Sequence, residues 1–409
     1  MSEPARTSDE ARPVINLSAA RRVCVVTGSR AEYGLTRWLM RELSTTPDVV
    51  LQVLVTGTHL DPTYGATISE IENDGLSIAE RVPIDMGTGA PIDTVNAVGL
   101  GTRDIGAALI RLKPDIVVVF GDRFEMLSAA QAAMFLNLPV AHIGGGDTAH
   151  GTHDNYVRHA ITKMAQLHFT THEDARRRVV QLGEDPRTVF NTGALANDVV
   201  LGTPMLDAAT TTTLTGIRFD SPVVLVAHHP ISIDRTATAR EISALLEFIR
   251  DILAEGLEVV ITGTNADAGN DVIRSAYEPL LAEHRHSVHF VENLGRNLYI
   301  NVLRHSMMLV GNSSSGLYEA PLVGTPTMDV GTRQLGRAAG TSVFRVSANA
   351  SEMRSTADHV LAGHVTFENY PYGHGAAAPR IAASLRATNL DDLHDKSFHD
   401  IAFGRGTGL

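Results

Sequence analysis

The fold is indicated first by residues 23–34, which read VCVVTGSRAEYG. An apolar run ends in a glycine turn, and a stretch compatible with a helix follows it. Similar continuous apolar runs recur further along the first half of the chain, at 50–57, 115–122, 138–146 and 167–172. Continuous apolar strands separated by amphipathic segments are typical of a parallel sheet covered by helices on both faces.

A second series of strand candidates begins after residues 202–221, which are rich in threonine. Its members lie at 223–229, 257–264, 307–312 and 325–331. Two successive sets of β–α units predict an α/β protein with two Rossmann-like, doubly wound domains facing each other across a cleft. The predicted organisation is a flexible N-terminal tail, a first domain, a second domain and a C-terminal segment, at 1–20, 21–205, 206–385 and 386–409. The threonine-rich segment is the predicted hinge.

Composition and charge exclude several classes of protein. The chain has 409 residues and a formal net charge of −12, which argues against a partner that is nucleic acid or an anionic membrane. Cys24 is the only cysteine, so no intramolecular disulfide or cysteine-based metal cluster can form. No apolar run approaches the roughly 20 residues that cross a bilayer, and the first twenty residues lack the apolar core of a signal peptide. We therefore expect a cytoplasmic enzyme.

The turn after the first strand, Gly28-Ser29-Arg30, is a candidate anion site. Backbone N–H groups at the start of a helix and a nearby arginine both favour an anion, although a plain strand-to-helix turn has the same composition. Two nucleotide signatures are absent. The chain contains no Gly-Lys-Ser/Thr, which excludes a P-loop ATPase or kinase, and no GxGxxG follows the first strand, which argues against a nicotinamide dehydrogenase.

Three aspartates follow the strands of the first half: Asp122, Asp147 and Asp154. Acidic groups at neighbouring strand ends can converge on one crevice, where they serve as acids or bases. Asp122 and Asp154 could each instead cap the N-terminus of a helix. The three together predict an acid–base site.

Polar residues also follow the strands of the second half. Ser313 and Ser314 precede a helix that contains Glu319, an arrangement suited to a pyrophosphate and a ribose, although a serine-rich helix cap is the alternative. His229 and Asn265 lie after two other strands. The histidines show no metal-ligand spacing, so we expect neither a metal nor a cofactor.

Taken in order, the motifs resemble those of the hydrolysing UDP-N-acetylglucosamine 2-epimerases of sialic, legionaminic and related nonulosonic acid biosynthesis. The resemblance covers about residues 21–380 and includes GSRAEYG, GDRFEML, RHAITKMAQLHF, GNSSSGLYEAP and GTRQLGR, at 28–34, 121–127, 158–169, 311–321 and 331–337. It implies a GT-B architecture with the nucleotide in the cleft. It also implies an anti elimination of UDP that gives a 2-acetamidoglycal, followed by addition of water and release of a free 2-epimeric sugar.

The resemblance also assigns roles by position. The residues it implies for UDP binding are Arg30, His229, Asn265, Ser313, Ser314, Glu319 and Arg333. Arg123 matches a further arginine on the phosphate side. Arg158 matches a position on the sugar side, together with Asp122 and Asp154. Members of the family are usually homodimers or homotetramers.

The chain departs from the sialic-acid members at two acidic positions. Gly144 stands where they have a glutamate, and Asn155 replaces the second of two paired acids. We therefore predict Asp122, Asp147 and Asp154 as the acid–base set. The expected substrate is a UDP-sugar, with GDP as the alternative nucleotide, carrying N-acetylglucosamine or a 2,4-diacetamido-trideoxyhexose. A non-hydrolysing epimerase, a GT-B glycosyltransferase and a catalytically silent nucleotide-sugar-binding protein remain alternatives.

Overall fold

The computed structural model describes residues 20–62, 65–87, 91–148, 153–231, 235–264 and 270–401. The first of its two sheets has seven parallel strands in the order β3-β2-β1-β4-β5-β6-β7. These strands are β1 Arg21–Thr27, β2 Val49–Thr56, β3 Ile78–Val82, β4 Ile116–Phe120, β5 Val140–Ile143, β6 Leu167–Thr170 and β7 Val189–Asn191. The helices of this half are α1 Arg30–Thr45, α2 Ile68–Asn73, α3 Pro91–Leu112, α4 Phe124–Phe135, α5 Asp154–Met164, α6 Glu173–Gln181 and α7 Leu195–Gly202.

The second sheet has six parallel strands in the order β10-β9-β8-β11-β12-β13. Its strands are β8 Val223–Ala227, β9 Glu258–Thr262, β10 Val288–Val291, β11 Met308–Gly311, β12 Thr327–Val330 and β13 Val343–Val346. The remaining helices are α8 Ala208–Thr215, α9 Arg235–Ala254, α10 Asn270–Glu283, α11 Gly295–His305, α12 Ser315–Tyr318, α13 Ala320–Val323, α14 Ala350–Leu361 and α15 Ala377–Ala387. The expected α/β class with two Rossmann-like sheets is confirmed.

Each sheet is covered on both faces, as its continuous apolar strands require. Val23 and Val25 of β1 belong to one buried cluster of the first sheet, whereas Cys24 and Val26 belong to the cluster on the opposite face. Burial raises the pKa of the Cys24 thiol to about 12, so this cysteine is an inert part of the core.

The strand order determines where the loops with the predicted site residues lie. The chain reverses its direction of travel across the sheet between β1 and β4 in the first half and between β8 and β11 in the second. Loops at the carboxyl ends of such strand pairs diverge and leave a crevice, where ligands of doubly wound proteins bind. Arg30 and Asp122 follow one pair, and His229 and Ser313 follow the other.

The chain crosses between the two halves twice. The first crossing is the predicted hinge, and part of it forms α8. Asp207 caps the N-terminus of α8 by accepting a hydrogen bond from Thr210 N. The second crossing brings α15 back to the first core, where it packs against α1 and Asp198 accepts hydrogen bonds from its first two backbone N–H groups. The predicted boundaries of the second domain, 206–385, include most of α15 and so place it with the second sheet. Its apolar face instead completes the surface left open beside α1.

Residues 1–19 of the predicted tail and 402–409 of the predicted C-terminal segment lie outside the described residues. In the part of the chain that the structure describes, no helix combines the length and the apolar character needed to cross a bilayer.

Candidate active site

A cavity of about 390 Å³ opens at the carboxyl ends of β8, β9 and β11. Its volume is within the range of small-molecule sites. Five residues predicted for UDP binding line it together: His229, Ser313, Ser314, Glu319 and Arg333. Asn265 lies outside the described residues. The cavity is thus the part of the predicted site that the second domain supplies.

Asn312, which is fully buried, holds the loops of this cavity in place. Its side-chain amide donates to the carbonyl oxygen of His229 at 2.8 Å and accepts from the N–H of His229 at 2.7 Å. Its own carbonyl oxygen accepts from Gln334 at 2.7 Å and from Arg333 at 3.2 Å. One residue therefore fixes the loops after β8, β11 and β12 relative to one another. Sequence reasoning included Asn312 in a motif but gave it no role.

The charge state of the cavity follows from burial. Burial, together with the positive charge of Arg333, lowers the pKa of His229 to about 4, so the imidazole is neutral at pH 7. Helix α12 has only four residues, and Ser313 Oγ accepts a hydrogen bond from Ser315 N at 3.3 Å. Hydroxyl groups and Arg333, more than a helix dipole, make this end of the cavity suitable for an anion.

Arg296 and Tyr299, two further residues of the cavity, were missed by the sequence reasoning. Arg296 Nη2 lies 3.5 Å from Glu319 Oε1, and Tyr299 donates a hydrogen bond to Ser315 Oγ at 2.8 Å. Both residues are on α11, which follows a strand with no distinctive motif. Only a count of charged residues after each strand could have indicated Arg296.

In the first domain, Arg158 joins two of the three predicted acids. It forms an ion pair with Asp122, and its Nη1 lies 3.6 Å from Asp147 Oδ2. Its side chain is 8% exposed, and burial lowers its pKa to about 10, which leaves the guanidinium charged at neutral pH. Two carboxylates at the ends of β4 and β5 therefore share one buried cation. This arrangement is the convergence that the sequence predicted for Asp122 and Asp147.

Asp122 does not cap a helix, because Arg123 occupies the N-cap position of α4. The loop that carries Asp122 is held by His142, whose Nε2 donates to the carbonyl oxygen of Gly121 at 2.8 Å. Asp147 is held by Thr171, whose hydroxyl donates to Oδ1 at 2.7 Å. Both acids are thus fixed by neighbouring strands of the sheet.

Asp154 is the first residue of α5 and is exposed. It precedes Arg158 by four residues, so both lie on the same face of the helix. Its negative charge acts on Arg123 and contributes to raising the pKa of that guanidinium. Asp154 therefore lies on the rim of the cluster, near Arg123, whereas Asp122 and Asp147 form its interior.

Two of the predicted arginines have carboxylate partners in the first domain. Arg123 makes a two-pronged pair with the fully buried Glu125, at 2.7 and 3.1 Å. Arg30 is exposed and lies 2.9 Å from Glu70. The structure thus places both after the expected strands, but with their charges already compensated.

Near Arg123 and Glu125 lies a buried acid that the sequence did not single out. Glu32, in the first turn of α1, is 5% exposed, and burial together with the negative charge of Glu125 raises its pKa to about 8. The positive charge of Arg123 and the polar groups of Thr27 and Gly28 act in the opposite direction. Glu32 is therefore a neutral carboxylic acid at pH 7.

Gly144 has left-handed backbone geometry, with φ of +82°, a region that favours glycine. The atoms nearest to the position of a Cβ there belong to the backbone of Gly121, at 3.9 Å, so a Cβ would make an ordinary van der Waals contact with the loop of Asp122. Within the described residues, no group of three or more His, Cys, Asp and Glu side chains could hold a metal ion.

The two halves of the site are joined by a loop contact. Thr148, next to Asp147, donates a hydrogen bond to the carbonyl oxygen of Gly336 at 3.1 Å, and Arg337 donates to the carbonyl oxygen of Thr148 at 3.3 Å. The loop that carries Arg333 therefore touches the loop that carries Asp147. The acids and the cavity are therefore connected through a contact between the two domains.

Comparison with known proteins gives the family of this chain. Residues 41–386 match the model of the UDP-N-acetylglucosamine 2-epimerase family. The GDP/UDP-N,N'-diacetylbacillosamine 2-epimerase (hydrolyzing) of Campylobacter jejuni is 33% identical over 78% of this chain and 82% of its own length. The UDP-N,N'-diacetylbacillosamine 2-epimerase (hydrolyzing) of Legionella pneumophila is 32% identical over 90% of this chain and 97% of its own length.

The fold is shared with a solved structure of the same group. The UDP-GlcNAc 2-epimerase of Neisseria meningitidis bound to UDP-GlcNAc superposes with a TM-score of 0.74 at 19% identity, covering 89% of this chain and 99% of the other. The expected GT-B arrangement of two Rossmann-like domains is thereby confirmed. With the family model spanning most of its length, this chain belongs to the UDP-N-acetylglucosamine 2-epimerase family.

Proposed function

We propose that the protein is a hydrolysing nucleotide-sugar 2-epimerase, which converts a UDP-sugar into UDP and the free sugar epimerised at C2. The observation that carries the proposal is the shared contact of Arg158 with Asp122 and Asp147. These acids lie across a single loop contact from a cavity lined by serine hydroxyls and Arg333. Acid–base groups next to an anion-binding cavity are what elimination of a nucleotide from a sugar needs.

The proposed reaction has two steps. A carboxylate first takes the proton from C2 while the bond from C1 to the diphosphate oxygen breaks, which releases UDP and leaves a glycal. Water then adds its oxygen to C1, and a proton is returned to C2 on the opposite face. Asp122, Asp147 and Asp154 form the proposed acid–base set. Arg333, Ser313 and Ser314 would stabilise the charge on the departing diphosphate.

We further propose that the sugar is a 2,4-diacetamido-trideoxyhexose, with N-acetylglucosamine as the alternative. Two relatives with more than 30% identity are named for diacetylbacillosamine. Gly144, in place of the glutamate of the sialic-acid members, supports the same choice, because a changed sugar is one reason for losing that side chain. Nonulosonic acid biosynthesis in the cytoplasm, by a homodimer or homotetramer, is part of the same proposal and rests on the family resemblance.

The test is to incubate the protein in D₂O with UDP- and GDP-linked diacetylbacillosamine and with UDP-N-acetylglucosamine. The expected result is release of the nucleoside diphosphate and a free sugar that is inverted and carries deuterium at C2. Asp147→Asn is the inactive control. A returned nucleotide sugar inverted at C2 would instead identify a non-hydrolysing epimerase. Tight binding of UDP without turnover of any of the three would identify a silent binding protein, an alternative motivated by Gly144 and Asn155.

A further inference from the structure

Arg296 is a cation of the nucleotide cavity that the proposed reaction leaves without a role. It is the second residue of α11, and its side chain is 30% exposed. Glu319, whose nearest oxygen is 3.5 Å away, is its carboxylate partner among the described residues. Burial lowers the pKa of Arg296, and the negative charge of Glu319 acts against this. The guanidinium is still charged at neutral pH, because an arginine pKa is far above 7.

The same side chain reaches the other domain at Gly34. A Cβ atom at Gly34 would lie 2.6 Å from Arg296 Nη1, closer than any side-chain atom can remain. The absence of a side chain at this point of α1 therefore lets the guanidinium rest against the helix. Gly34 costs helix stability relative to alanine, so the sequence retains an unfavourable residue at this contact.

Charge attraction does not explain why Arg296 lies against α1. The charged residue of α1 that acts on it is Arg37, which has the same sign and lowers its pKa further. Arg37 is itself paired with Asp74 at 2.7 Å. Arg296 thus has the like charge of Arg37 on one side and the carboxylate of Glu319, at 3.5 Å, on the other. This arrangement favours the binding of an additional anion.

We propose that Arg296 binds the diphosphate of the nucleotide. Because Arg296 packs against Gly34, this binding depends on the position of the first domain. The inference rests on the proposed function, since it assumes that a nucleoside diphosphate occupies the cavity. In this contact, an arginine on α11 of the second domain packs against α1, the helix that follows β1 of the first domain. Nucleotide affinity and domain position are thereby coupled through one side chain.

The experiment is calorimetric titration of the full-length protein with UDP and with uridine. Arg296→Met should weaken UDP binding about tenfold to a hundredfold, the usual worth of a charge-assisted hydrogen bond, and leave uridine binding unchanged. Gly34→Ala should displace the flexible end of Arg296 and weaken UDP binding about three- to tenfold, a part of the same loss. In the Arg296→Met background, Gly34→Ala should have no further effect on UDP.

Two control variants separate this role from a general effect on the fold. Gly99→Ala changes a glycine of α3 that has no atom within 4 Å of its Cβ position. Like Gly34→Ala, it should raise the melting temperature by about 1–2 °C, but without weakening UDP binding. Arg250→Met removes an arginine of α9 that lies 3.9 Å from Glu283 at the surface, and it should leave UDP binding unchanged.

Different results overturn different claims. Equal affinity of wild type and Arg296→Met for UDP would overturn the role of Arg296. Losses from Gly34→Ala and Arg296→Met that simply add in the double variant would overturn the coupling between them. A wild-type protein that binds neither UDP nor GDP would instead overturn the proposed function itself.

Discussion

The buried acid Glu32 should make the fold lose stability as the pH rises. Its carboxyl ionises near pH 4.5 in the unfolded chain, whereas its pKa is about 8 in the folded protein. Between these values the folded state keeps a proton that the unfolded state has released, so the free energy of unfolding decreases with pH. The slope is at most about 1.4 kcal/mol per pH unit, or about 5 kcal/mol over the whole interval.

Relaxation around a buried charge reduces such values, and we expect about 1–3 kcal/mol to be measured. Glu32→Gln keeps the shape of the neutral acid and cannot ionise. The variant should match the wild type at pH 5 and exceed its stability by that amount at pH 8.5, in urea unfolding followed by circular dichroism. Glu247→Gln, on the exposed side of α9, controls for loss of a glutamate. A stability difference between Glu32→Gln and wild type that stays the same at both pH values would refute the reasoning.

Three other predictions concern the C-terminal segment and the two halves of the site. Lys396→Met should cost about 1–3 kcal/mol at pH 7, because Lys396 Nζ lies 2.7 Å from the buried Glu184 and also donates to backbone carbonyls at the end of α5. The pKa of Glu184 is lowered to about 2 by its basic neighbours, against the effect of burial, so the deficit should be present above pH 4.5 and shrink toward pH 2 in thermal unfolding. Asp122→Asn should lower turnover about 100-fold or more with little change in UDP affinity, since it removes a proton-transferring group paired with Arg158; a weakened affinity at unchanged turnover would assign it to binding. Arg333→Ala should weaken UDP binding about tenfold in a calorimetric titration, and an unchanged dissociation constant would remove it from the binding set.

Sequence patterning located the central strands and missed the edges. Nine strand candidates correspond to β1, β2, β4, β5, β6, β8, β9, β11 and β12, and the four strands left out are β3, β7, β10 and β13. These four are the outer strands of the two sheets. An edge strand is exposed on one side, so its residues alternate or mix in polarity: β3 has two partly buried residues, two exposed and one buried. Continuous apolar runs therefore predict only strands that are buried on both faces.

For the candidate site, position relative to the strands was enough to predict the residues that follow a strand directly. His229, Ser313, Ser314 and Arg333 line one cavity because parallel strands bring their carboxyl ends to the same edge of a sheet. The sequence could not predict that Arg123 would be paired with Glu125, or that Arg30 would pair with Glu70 at the surface. Those partners are set by side-chain packing between loops.

The sequence by itself determined the two Rossmann-like sheets, the edge of each sheet where the candidate site lies, and the acids and serines found there. These features are local, since each depends on the residues of one strand and the loop that follows it. Only the tertiary structure decided which parts of the chain come into contact. It places Arg158 between Asp122 and Asp147, Arg296 against Gly34, and α15 in the first core. Such contacts depend on how the two domains and the returning helix pack, and burial then sets the charge states that no pattern of residues reveals.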